Sequence, residues 1–167
     1  MTMNSLITPP RPAAAAEPAT QAPERAAPRT LRVLLGHGDR AELRRLRGAL
    51  RHAGFDVAAF ESGFDLVGHA QPWVFRGAEV EPPDAIVCAA NLADWSAAEV
   101  LRILRAGDDR TPVIALVAND HAGMRARLFA LGADAVRRAD LDGAELAELV
   151  DTLVTGAGGA GGWRHAA

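Results

Sequence analysis

Cysteine occurs once in this chain, at Cys88, so no internal disulfide can form, and a lone thiol fits a reducing compartment. No apolar run approaches the roughly 20 residues of a membrane-spanning helix. The N-terminus has neither the basic region nor the apolar stretch of a secretory signal. Neither sign of charge is in large excess: the net charge is −3 and the pI is near 5.9, which gives no global signal for nucleic acid or a membrane surface. No second histidine is spaced to share a metal ion with His37. These absences predict a soluble, cytoplasmic protein without a cofactor. What is present is an ordinary globular composition, 49% hydrophobic and 23% charged over 167 residues, enough for one core.

The chain divides into three parts. Residues 1–30 are rich in alanine and proline, as in Pro9-Pro10-Arg11-Pro12-Ala13-Ala14-Ala15-Ala16. Proline blocks helix and alanine buries too little area to offset the entropy of ordering, so a disordered tail is expected. Residues 155–167 begin with a glycine-rich run and read as a flexible C-terminal tail. Between them, residues 31–154 alternate apolar strand-like runs with amphipathic ones.

Strands are expected at Leu31–Leu35, Asp56–Phe60, Asp84–Ala89, Val113–Val117 and Ala135–Arg137. The first helix spans Asp39–Ala53, with Leu43, Leu46 and Leu50 inward, Asp39 as N-cap and Gly54 as stop. A short helix carries Phe64, Leu66 and Val67. A third, Ser96–Arg105, turns Val100, Leu101, Ile103 and Leu104 inward. The fourth uses Met124, Leu128 and Leu131 and ends at Gly132. The fifth starts at Asp142 and Glu145, like a capping box, and buries Leu146, Leu149, Val150 and Leu153. Strict alternation implies a parallel sheet with helices on both faces, an α/β fold of the (βα)5 flavodoxin-like type with strand order 2-1-3-4-5. Ligands in such folds sit outside the carboxyl ends of strands one and three, here residues 36–39 and 89–95.

The run Pro83-Asp84-Ala85-Ile86-Val87-Cys88-Ala89-Ala90-Asn91-Leu92-Ala93-Asp94 resembles the third strand and following loop of a response-regulator receiver domain. Thr111-Pro112-Val113-Ile114-Ala115-Leu116 and Leu131-Gly132-Ala133-Asp134 resemble later receiver segments, in the same order and spacing. The resemblance implies a degenerate member, a pseudo-receiver. It places Ala89 where the family has its phosphoacceptor aspartate, and His37 and Gly38 where a pair of acidic residues holds magnesium, with Asp39 one step beyond. It places Val117 where a threonine or serine closes on the phosphoryl group, Ala139 and Asp140 where lysine and proline follow strand five, and Val136 at the aromatic switch position. A methyl group accepts no phosphate, and magnesium rests on carboxylates. Phosphoryl transfer depends on positioned charge, so no enzymatic activity is expected.

The function implied is therefore binding: a non-phosphorylatable, stand-alone adaptor in bacterial two-component signalling or cell organisation, without an output domain because the chain ends soon after the fifth helix. Arg40, Arg44, Arg47 and Arg51 recur at helical spacing and suit an acidic helical partner; a solvated face with Glu42 nearby is the plainer reading. The family context points to the helical bundle of a histidine kinase or phosphotransferase. Trp95 is either an interface anchor or a filler of the vacated site. Trp73 and Phe75, in an unusually long segment over residues 71–80, either extend the core or present a contact surface. The acidic outer face of the fifth helix, Glu145, Glu148 and Asp151, matches a basic stripe on a second copy in a homodimer. A different class of function is a small-molecule or metal sensor in the vacated cleft, using His37, Asp39 and Asn91. Cys88, in strand three, reads as a small core residue.

Overall fold

The computed structural model of the chain describes residues 29–71, 82–119 and 121–157, with Ala157 described through its backbone alone. Residues 1–28 of the expected disordered tail, residues 72–80 with Trp73 and Phe75, and residues 158–167 of the expected C-terminal tail lie outside the described residues.

The strands are β1 (Arg32–Gly36), β2 (Asp56–Phe60), β3 (Ala85–Ala89), β4 (Val113–Val117) and β5 (Ala135–Arg138). All pair in parallel, in the order β2-β1-β3-β4-β5. The helices are α1 (Arg40–His52), α2 (Gly63–Ala70), α3 (Ala97–Ala106), α4 (Ala122–Ala130) and α5 (Gly143–Ala157). This is the expected flavodoxin-like (βα)5 topology.

Alternation along each strand divides the core in two. Leu34, Ile86, Cys88 and Ala115 pack with α2, α3 and α4 residues such as Leu66, Leu101 and Leu128. Val33, Leu35, Val87 and Ile114 pack with Leu46 and Leu50 of α1 and Leu146 and Val150 of α5. Both faces of the sheet are thereby covered, which is why β3 and β4 read as continuous apolar runs.

Local chemistry sets the helix ends. The Asp39 carboxylate accepts from the Ala41 and Glu42 amides at 2.7 and 3.2 Å and starts α1. Gly54 follows that helix with φ +96°, a conformation glycine adopts without a Cβ clash. Ser96 and Glu99 form a reciprocal capping box at α3.

Four sequence expectations are corrected. Ile103 is 38% exposed, because the inward arc of α3 is already filled by Val100, Leu101 and Leu104. Asp84 lies before β3 rather than in it; its carboxylate accepts from the Arg32 amide at 2.8 Å and pairs with Arg29. Asp142 accepts from the Gly143 amide at 2.7 Å, where a reciprocal bond with Glu145 was expected. Finally, α5 runs through Ala157, past the expected tail boundary at 155, and Thr155 donates its hydroxyl to the Asp151 carbonyl at 2.7 Å.

Candidate functional site

Parallel strands deliver their carboxyl ends, and the loops after them, to one rim. Three backbone hydrogen bonds tie these loops together: His37 N–H to the Phe60 carbonyl at 3.0 Å, Gly38 N–H to the Asn91 carbonyl at 3.3 Å, and Ala93 N–H to the Glu61 carbonyl at 2.9 Å. Between them lies a cleft of about 540 Å³. Its floor is built of small apolar residues, Ala89, Ala90, Ala118 and Ala139, and its polar edge carries His37, Asp39, Glu42, Arg45, Asn91 and Asp140.

Of the positions singled out in the sequence, His37, Asp39, Ala89 and Ala139 line this cleft, whereas Gly38 and Val117 do not. Val117 is buried in the core on the α2–α4 side, and Ala118 takes the place at the cleft wall. Val136 is likewise buried. Ala89 is 4% exposed at the carboxyl end of β3. A Cβ added to Gly38 would stand 3.0 Å from the Asn91 carbonyl oxygen and 3.3 Å from the Leu92 carbonyl carbon. A side chain at 38 would therefore be a tight fit, accepted only if the Asn91–Leu92 backbone gives by a few tenths of an ångström.

Each of the three carboxylates at the cleft edge is already engaged. Asp39 caps α1; the Glu42 and Ala41 amides hold its carboxyl below the usual range. Glu42 accepts from Arg45 at 2.8 Å, and that guanidinium also donates to the Leu141 carbonyl. Asp140 pairs with Arg138, which lowers its pKa. Among the described residues no group of three or more histidine, cysteine, aspartate or glutamate side chains is placed to hold a metal ion. His37 accepts the Asp39 N–H through Nδ1 at 2.9 Å, so that nitrogen is spent on the turn. Cys88 is fully buried, and burial pushes its thiol up to about 12, which keeps it protonated and inert. No lysine occurs anywhere in the sequence; all 18 basic side chains other than histidine are arginine.

The partner-binding candidates fall into two groups. On α1, Arg40 is bound to Glu61 through two hydrogen bonds of 2.8 and 2.9 Å, which raises its pKa, and Arg51 donates to the Val57 carbonyl of the edge strand β2 at 3.3 Å. Arg44 and Arg47 lie between them. Glu42, the expected neutraliser of this stripe, pairs with Arg45 instead. Trp95 is half-buried: it packs on the core and meets exposed Phe64 edge to face, with centroids 6.0 Å apart and ring planes at 85°. It does not line the cleft at the rim.

Sequence reasoning missed Asp94. From the loop after β3 it accepts from Ser62 Oγ at 2.9 Å, Gly63 N–H at 2.6 Å and Phe64 N–H at 3.2 Å, fastening the Trp95 loop to the start of α2. Desolvation works against its charge, but these donors prevail and its pKa is lowered. The signal was Ser62 before an apolar helix, which marks a cap without revealing a second acceptor from a distant loop.

Fold and rim together define a doubly wound α/β module of receiver architecture. No protein-family model matches the sequence, and no curated protein matches it. Among solved structures it is similar to the receiver domain of Francisella response regulator 1452, with 20% identity over 77% of this chain and 99% of that one and a TM-score of 0.67. It is also similar to the receiver domain of NarL from Mycobacterium tuberculosis, with 18% identity over 77% and 99% of the two chains and a TM-score of 0.67. A third relative is the receiver domain of a sensor histidine kinase from Pseudomonas aeruginosa, solved with magnesium coordinated in its active-site cleft; there identity is 23% over 76% and 99% of the chains, with a TM-score of 0.65. Likeness at these identities establishes the fold.

Proposed function

We propose that this chain is a pseudo-receiver: a receiver-like module of bacterial two-component signalling or cell organisation that takes no phosphoryl group and acts by binding another protein. The observation that carries the reading is the rim itself. A buried methyl, Ala89, occupies the end of β3, and Gly38 has no side chain to offer and only a tight space for one beside the Asn91 carbonyl. The three nearby carboxylates, Asp39, Glu42 and Asp140, are committed to a helix cap and two arginines. Without free carboxylates a divalent cation has no hard oxygen ligands with compensating charge. Without nucleophile, metal and amine, phosphoryl transfer has nothing to position it. The partner favoured by the α1 arginines is an acidic helical surface, such as the bundle of a histidine kinase or phosphotransferase.

The test is an NMR titration with magnesium and beryllofluoride. Amide resonances of residues 37–39 and 89–91 are expected to stay unmoved. Saturable shifts there would overturn the reading.

A second reading is supported by the cleft volume of about 540 Å³ over an alanine floor, which falls within the common range of small-ligand sites. A sensor of this kind gains about 2.7 kcal/mol of stability at a hundredfold excess of ligand over its Kd. An NMR screen of nucleotides, cyclic dinucleotides and divalent metals, read at the cleft residues 37–39, 89–91 and 139–140, separates the two readings, because the adaptor predicts no saturable shift there.

A further inference from the structure

A second groove lies away from the rim, between α1 and the edge strand β2, with a volume of about 350 Å³. Arg40, Arg44, Arg47 and Glu61 line it over a wall of Leu43 and Ala59. Three guanidinium groups face one carboxylate, and that carboxylate is taken up by Arg40 alone. Arg47 carries a buried Nε that has no acceptor. Among the described residues neither Arg44 nor Arg47 makes a side-chain hydrogen bond or ion pair; Arg44 acts only through space, on Asp39. A protein seldom leaves a buried guanidinium N–H unanswered, because desolvation without an acceptor is costly.

From these observations we infer that the α1–β2 groove is an oxyanion site for a compact polyanion, held by the forks of Arg44 and Arg47 while Glu61 restrains Arg40. Residues at i and i+3 on a helix stand about 5–6 Å apart at Cβ, so the two forks converge on one compact group. Guanidinium donors match phosphate and carboxylate oxygens in paired hydrogen bonds. The charge balance, two cations in excess, suits a ligand of two or more negative charges. The groove shares Arg40, Arg44 and Arg47 with the surface proposed for an acidic partner, so a bound anion competes with that partner for them.

The experiment is an NMR titration of the full chain with inorganic pyrophosphate and, separately, with citrate, at matched ionic strength. Saturable shifts at residues 40–47 and 59–61 are expected in at least one arm; the stronger arm identifies a phosphoryl or a carboxylate source. Arg47→Ala and Arg44→Ala each weaken binding by about tenfold, the loss expected for a charge-assisted hydrogen bond. Glu61→Gln frees Arg40 and tightens binding by roughly threefold. Arg102→Ala, on α3, changes nothing. The inference is overturned if neither anion saturates, if binding survives both arginine substitutions, or if Glu61→Gln weakens it. Failure here leaves the rim titration unaffected, so the two proposals fail separately.

Discussion

Asp94 and Asp39 are exposed carboxylates whose charge is fixed by donors of known identity, and this gives them a pH signature. Both have a folded pKa below the usual value of about 3.9. The contribution of such a group is complete above its unfolded pKa and is lost as the pH falls through the lower folded value, since the unfolded chain then binds protons first. Denaturant midpoints followed from pH 7 to pH 2 are therefore expected to decline below about pH 4. In Asp94→Ala the curve should start lower and fall less steeply in that acid window. An identical slope in the variant would show that Asp94 does not couple the Trp95 loop to α2. Cys88 offers a contrast: buried, with its thiol pushed up to about 12 by desolvation, it stays protonated near neutral pH and contributes packing.

At the scale of elements, the capping box of α3 and the contact of α1 with α5 are the places where one atom decides. Ser96→Ala removes the side chain that accepts from the Glu99 amide and donates to its carboxylate, and should cost about 1 kcal/mol in chemical denaturation. Gly143 lies so close to α1 that an added Cβ would fall 2.3 Å from the Ala49 Cβ. Most elements were legible in the sequence because strand runs covered on both faces, caps and glycine stops are local signals. Asp39 and Gly54 were each placed by residue type and position. Ile103 was misassigned because helical period alone cannot say how wide the buried arc is, and Asp142 because a capping box and a single-residue bond look alike in sequence. At the site, the alanine at 89 and its place at the end of a strand were legible from one position. The crowding at Gly38, the capture of Asp39, Glu42 and Asp140, and the role of Asp94 depend on loops brought together from distant parts of the chain.

For the molecule as a whole, charge is segregated on the face that α1 and α5 share. The stripe of Arg40, Arg44, Arg47 and Arg51 runs on α1, and exposed Glu145, Glu148 and Asp151 lie on neighbouring α5. Under the adaptor reading, charge reversal of Arg44 and Arg51 weakens capture of a cross-linked partner from source-organism lysate, while the melting temperature moves little, as for most surface substitutions. Raising ionic strength should weaken wild-type capture in the same direction. Unchanged capture would shift attention to Trp95 and Phe64.

The close approach of Gly38 to the Asn91 carbonyl also sets what re-engineering this rim would require. A Cβ added at 38 would stand 3.0 Å from that oxygen, so a side chain there fits only if the Asn91–Leu92 backbone gives by a few tenths of an ångström. Because the Gly38 amide donates to the same carbonyl, such a change asks two loops to move together.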